Sequence, residues 1–134
     1  MQDLYSELLL EHSKNKQIKE EIPEDYTIVT KRNCLCGDTC SVGIKENPIQ
    51  IKVKCNGCAL CQASSSVLLD LTKGKNKQEL KTLVEEIKIF LTDYKPKEEL
   101  KDLNCFSSLK KFPTRKTCVN LPWQCLEQVL TKSR

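Results

Sequence analysis

The hydrophobic period changes twice along this chain, and that change constrains the fold more than any single residue does. Residues Asp3 to Lys16 place Leu4, Tyr5, Leu8, Leu9 and His12 at helical spacing, which predicts an amphipathic first helix with the polar exit Lys14-Asn15-Lys16. Lys19 to Asp25 reads as a charged loop around Pro23. From Tyr26 the pattern turns β-branched and alternating: Tyr26 to Thr30, Thr39 to Lys45, then Ile49, Ile51 and Val53 in a strand ending at Lys54. The turn residues Glu46-Asn47-Pro48 join the last two as an antiparallel hairpin.

After Gly57 the helical period returns. Ala59, Ala63, Ser64 and Ser66 form a small-residue face beside Leu60, Val67, Leu68 and Leu71, and Lys73-Gly74 closes that helix. Asn76 to Asp93 carries Leu80, Leu83, Val84, Ile87 and Leu91 on one face. Pro96 breaks the pattern, Glu98 to Lys111 is a weaker helical stretch, and Val119 to Lys132 is the last helix, with Pro122 tolerable only in its first turn. Trp123, Leu126, Val129 and Leu130 face inward. The order predicts an α+β fold: a small three-stranded antiparallel sheet with helices packed on one face. At 134 residues, with no internal repeat or linker, residues 1–134 form a single domain.

A chain of this length can bury a core without disulfide staples, so nine cysteines against one histidine need a chemical reason. The start carries no positively charged and then apolar leader, and no uncharged apolar run approaches membrane-spanning length. The expectation is a soluble, cytoplasmic protein without a membrane role, in which thiols serve as metal ligands, nucleophiles or small core residues. The net charge of +4 is modest, and its lysines are interleaved with acids. That reads as a solvated surface rather than a nucleic-acid footprint.

Cys36-Gly37-Asp38 sets a thiol and a carboxylate across a glycine, a soft and a hard ligand on a loop that can bend. Cys58 lies at the strand-to-helix junction after Gly57, and Cys118 just before the last helix. Three such junctions can converge at one end of the sheet, and a helix N-terminus favours thiolate over thiol. Cys36, Asp38, Cys58 and Cys118 together satisfy four-coordinate zinc, with one exchangeable oxygen ligand. Arg115 adds a permanent cation able to stabilise a thiolate or persulfide. Cys125, about two helical turns or roughly 10 Å past Cys118, cannot share that metal; it and Cys105 read as core thiols. Cys34-x-Cys36 and Cys55-x-x-Cys58 leave a rival open: a zinc-ribbon-like structural module contacting nucleic acid. His12 reads as a helix-surface or partner-contact residue.

At these residues the chain resembles the NifU/IscU/SufU-type iron-sulfur cluster assembly proteins. The resemblance rests on Cys36-Gly37-Asp38, on Gly57-Cys58 followed by Ala63-Ser64, and on Phe112-Pro113-Thr114-Arg115-Lys116-Thr117-Cys118 running into Leu121-Pro122-Trp123. It extends to the opening Leu4-Tyr5 with Glu11-His12-Ser13-Lys14-Asn15. The extra segment around Tyr94 to Phe106 resembles the SufU branch. Thr117 stands where the IscU branch has a histidine, which makes Asp38 the candidate fourth ligand. The resemblance implies a zinc-bearing partner of a pyridoxal-phosphate cysteine desulfurase of SufS/IscS type, with Cys36 accepting sulfur as a persulfide. It implies a sulfur carrier or scaffold, at most a sulfurtransferase, passing sulfur or clusters to a downstream scaffold or apo iron-sulfur proteins. With zinc absent, Cys36, Cys58 and Cys118 could hold a nascent iron-sulfur cluster. The chain departs from the pattern at Lys16, Cys34 and Cys55, and adds Cys40 and Cys61.

Overall fold

The structure, a computed structural model, describes residues 4–33, 37–111 and 113–132. Its sheet is a meander in the order β1 (Thr27–Asn33), β2 (Asp38–Lys45) and β3 (Gln50–Asn56), antiparallel throughout. Alternation decides the buried face. On β2, Asp38, Cys40, Val42 and Ile44 point inward, flanked by Val29 of β1 and by Val53 and Cys55 of β3. The β2–β3 turn carries Asn47 at φ 64 and a cis Asn47–Pro48 bond.

Helices α2 (Ala59–Thr72) and α4 (Pro113–Lys132) cover that face, while α1 (Leu4–Ser13) packs on α2 and α3 (Lys77–Asp93) on α4. The expected α+β architecture is thus present, with its helical side two layers deep. On the opposite face Ile22 and Tyr26 close over Gly43, where an added Cβ would meet the Ile22 side chain at 2.7 Å. Ile18, in a 3-10 turn at Lys16–Lys19, is fully buried just before the charged loop.

Helix α3 forms as its sequence dictates. Asn76 caps it by accepting from the Glu79 N–H at 2.8 Å, Glu79 returns the bond to the Asn76 N–H, and Tyr94 ends it in a left-handed conformation. Glu98–Lys111 is 3-10 helix broken at Lys101. The last helix departs from expectation. It begins at Pro113 rather than Val119, so Pro122 lies inside it and not in its first turn. Proline has no N–H, so the Cys118 carbonyl receives no hydrogen bond from residue 122. Tertiary packing offsets that loss, since Val119, Leu121, Trp123, Leu126, Val129 and Leu130 are all buried.

Two polar clamps fix the helices. His12 joins α1 to its neighbours, with Nδ1 2.7 Å from Ser66 Oγ and Nε2 2.8 Å from Asp102 Oδ2. It is therefore an interior anchor, with a side chain 10% exposed, and not the helix-surface or partner-contact residue expected from the sequence. Ser64, buried on α2, donates to the Val119 carbonyl at 2.6 Å and accepts from Trp123 Nε1 at 3.1 Å, tying α2 to α4. Ser64→Ala should lower stability by about 1–3 kcal/mol, because it strands the buried indole N–H. Urea unfolding followed by circular dichroism measures the change.

Candidate metal centre

The meander ends β1 and starts β2 at the same edge, where Asn33 and Asp38 are register partners. Gly37, at φ +72, turns the chain back into β2 and donates its N–H to the Asn33 carbonyl at 2.7 Å. Asp38 is 1% exposed and points across the sheet edge to the start of α2. One carboxylate oxygen accepts the Cys58 N–H at 2.8 Å, and the other lies 3.4 Å from Cys58 Sγ. The aspartate thus ties the N-cap residue of α2 to a distant strand through its backbone N–H, while the Cys58 side chain makes no cap bond of its own.

Gly57 makes this approach possible. A Cβ at Gly57 would lie 2.4 Å from Asp38 Oδ1 and 2.7 Å from Asp38 Cγ. Cys118 arrives from α4, so that Asp38, Cys58 and Cys118 present ligand atoms all within 4.8 Å of one another. A carboxylate and two sulfurs at that spacing match a borderline-soft tetrahedral cation such as zinc. Asn33 supports the cluster: its amide donates to Thr117 Oγ1 at 3.1 Å and approaches Cys118 Sγ at 3.7 Å.

Of the residues singled out from sequence, the structure brings together Asp38, Cys58 and Cys118. Cys36 lies outside the described residues, as does Cys34. Arg115 is exposed on the first turn of α4, three residues before Cys118. Cys58 does sit at a helix start. Cys118 does not: with α4 beginning at Pro113, it lies in the second turn, where the helix-end charge no longer reaches it. The zinc-ribbon pairing is not supported, since Cys55 is buried with its sulfur 3.0 Å from Cys61 whereas Cys58 faces Asp38. Cys105 and Cys125 are core thiols, as expected, and burial pushes Cys105 up to about 12.

Sequence reasoning missed Asn33 and the steric role of Gly57. Asn33 is a polar residue closing a strand, a weak signal that gains meaning only from the cross-strand register. Thr117, read as the site of a missing ligand, receives the Asn33 amide instead. Gly57→Ala should force Asp38 off the Cys58 amide and cost about 1–3 kcal/mol, as overpacking against a buried group does. The loss is readable from the urea midpoint.

A small antiparallel sheet covered by helices thus gathers a carboxylate and two thiols at one end. The chain belongs to the NifU-like N terminal domain family, matched over residues 4–131. It is 29% identical over 133 residues to the iron-sulfur cluster assembly scaffold protein IscU of Thermotoga maritima, covering 96% of this chain and 94% of that one. It is also 29% identical over 137 residues to the zinc-dependent sulfurtransferase SufU of Bacillus subtilis, covering 96% and 90%. Among solved structures, a SUF-system scaffold from Fervidobacterium islandicum superimposes with a TM-score of 0.82 at 29% identity, covering 94% of this chain and 96% of the other.

Proposed function

We propose that this protein is a SufU-like iron-sulfur cluster assembly protein that accepts sulfur on Cys36 beside a metal held by Cys36, Asp38, Cys58 and Cys118. The observation that carries this reading is the convergence of Asp38, Cys58 and Cys118 within 4.8 Å at the start of β2, two residues after Cys36 in the sequence. Zinc, when bound there, keeps its thiol ligands deprotonated at neutral pH. The donor set fits it: the sulfurs of Cys58 and Cys118 and a carboxylate oxygen of Asp38 lie within 4.8 Å of one another, and Cys36 lies two residues before Asp38.

The remaining chemistry belongs to the chain's own groups. The Cys36 thiolate attacks the outer sulfur of a persulfide on a cysteine desulfurase. The S–S bond breaks, the donor leaves as a thiolate, and Cys36 carries the sulfur as a persulfide. Gly37, next in sequence to Cys36, turns the chain at φ +72, and Asp38 stays pinned by the Cys58 N–H. Arg115 faces the negative charge of the incoming persulfide from the start of α4. A nascent iron-sulfur cluster is the cargo the same thiolates are suited to carry. The partner is a pyridoxal-phosphate desulfurase of SufS/IscS type, with a downstream scaffold or apo iron-sulfur proteins as acceptors. Among the described residues no helix is long and apolar enough to cross a membrane.

Cys36→Ala should abolish sulfur loading by a desulfurase, read as loss of a +32 Da adduct per transferred sulfur atom, about one S by mass. Unchanged loading excludes Cys36 as the acceptor. Cys118→Ala should lose the metal of this site, measured by elemental analysis. Arg115→Ala should keep the metal and slow loading about tenfold, the equivalent of about 1.4 kcal/mol in the barrier.

A further inference from the structure

A cavity of about 350 Å3 lies between α1, α2 and the 3-10 segment Glu98–Lys111, lined by Glu11, His12, Asn15, Ser66, Asp70 and Asp102. It is remote from the thiol centre. Ser66 and Asp70 follow Cys58 by eight and twelve residues along α2, about 12 and 18 Å at the rise of a helix. Glu11, Asp70 and Asp102 bring carboxylates to this cavity, and no lysine or arginine lines it. In a chain of net charge +4, such a local excess of negative charge calls for a cation. The ion pairs of the described residues leave that need open: Asp102 pairs with His12, and Asp70 only with Lys73, at 3.9 Å on the exposed surface of the same helix.

A nitrogen and two oxygens are already gathered. One ring nitrogen of His12 and one carboxylate oxygen each from Asp70 and Asp102 all lie within 4.8 Å of one another. His12 Nε2 and Asp102 Oδ2 are 2.8 Å apart. Ligand atoms held about 2.1 Å from one cation stand roughly 3.0–3.4 Å apart, so a cation enters between these two with a shift of about half an ångström. Asp70, half-exposed at the rim, closes the remaining gap by side-chain rotation.

The other ring nitrogen is held as a metal-bound histidine requires. Nδ1 lies 2.7 Å from Ser66 Oγ, and Asn15 Nδ2 donates to the same oxygen at 2.9 Å. With Nδ1–H donated to Ser66, the ring turns Nε2 toward the two aspartates, and a partner on the second nitrogen is what fixes a ligating imidazole. The His12 side chain is 10% exposed, so packing holds this orientation.

We propose that His12, Asp70 and Asp102 bind one divalent first-row transition cation, of the Mn2+, Fe2+ or Zn2+ type, at a site separate from the thiol centre and independent of its function. One imidazole and two carboxylates without sulfur suit such an ion, with water in the remaining positions. The cation takes the place of the proton that Nε2 shares with Asp102, and that proton leaves to solvent. Bound there, it joins α1, α2 and the 3-10 segment, and stabilises the folded chain because the unfolded chain holds no such set.

The test titrates the full chain, dialysed against EDTA, with Mn2+, a probe that thiolate ligands do not favour. Bound ion is counted from the loss of the electron paramagnetic resonance signal of free Mn2+, and one per chain is expected. His12 is the one histidine of the sequence, so its imidazole proton NMR signals are unique. Substoichiometric Mn2+ should erase them in the wild type and in Cys118→Ala alike. Asp70→Asn should keep its circular dichroism and lower Mn2+ affinity by about tenfold or more. The proposal is overturned by a wild type that binds no stoichiometric Mn2+, by His12 signals that persist with the ion bound, or by a folded Asp70→Asn of unchanged affinity. Binding that disappears in Cys118→Ala overturns it too, since the ion then sits at the thiol centre. The wild-type count and the His12 signals need no variant to fold.

Discussion

The bond from the Cys58 N–H to the Asp38 carboxylate is the constraint on which the candidate centre depends. It joins the first residue of β2 to the cap of α2, so sheet and helical layer are locked together where the ligands meet. A buried carboxylate is costly unless its lone pairs are used. Here one oxygen is used by the helix start and the other faces the Cys58 sulfur. Gly57 is the geometric partner of this bond, because any side chain there would occupy the space of the carboxylate.

The rest of the fold holds the third ligand in register with that junction. Cys118 rides on α4, which Ser64 and Trp123 tie to α2. Helix α3 and the anchored α1 contribute nothing to the centre directly; they cover the outer sides of α2 and α4 and exclude water from the layer beneath it. Pro122 weakens the ladder of α4 one turn past Cys118, and the burial of both flanking turns keeps the helix continuous.

Much of this was legible in the residues. The alternation from Tyr26 onward and the helical face of Leu80, Leu83, Val84, Ile87 and Leu91 marked their elements, because period and burial face are local properties. Of the glycine-linked pair, Asp38 marked the candidate centre, while Cys36 lies outside the described residues. The start of α4 was not legible: Pro122 reads locally as a first-turn residue, and only packing against the sheet and α2 makes an interior proline tolerable. His12 was misplaced for a similar reason, since its partners Ser66 and Asp102 are far away in sequence.

The sequence by itself determined the order of strands and helices, the start of α4 excepted, and the family to which the chain belongs. Tertiary structure decided which thiols meet. Cys55 and Cys58 are three residues apart, yet one turns into the core toward Cys61 and the other toward Asp38. The physical reason is that the chain passes from strand to helix between them, and the direction of a side chain follows the element that carries it. The seven cysteines among the described residues thereby divide into separate environments that no linear spacing distinguishes.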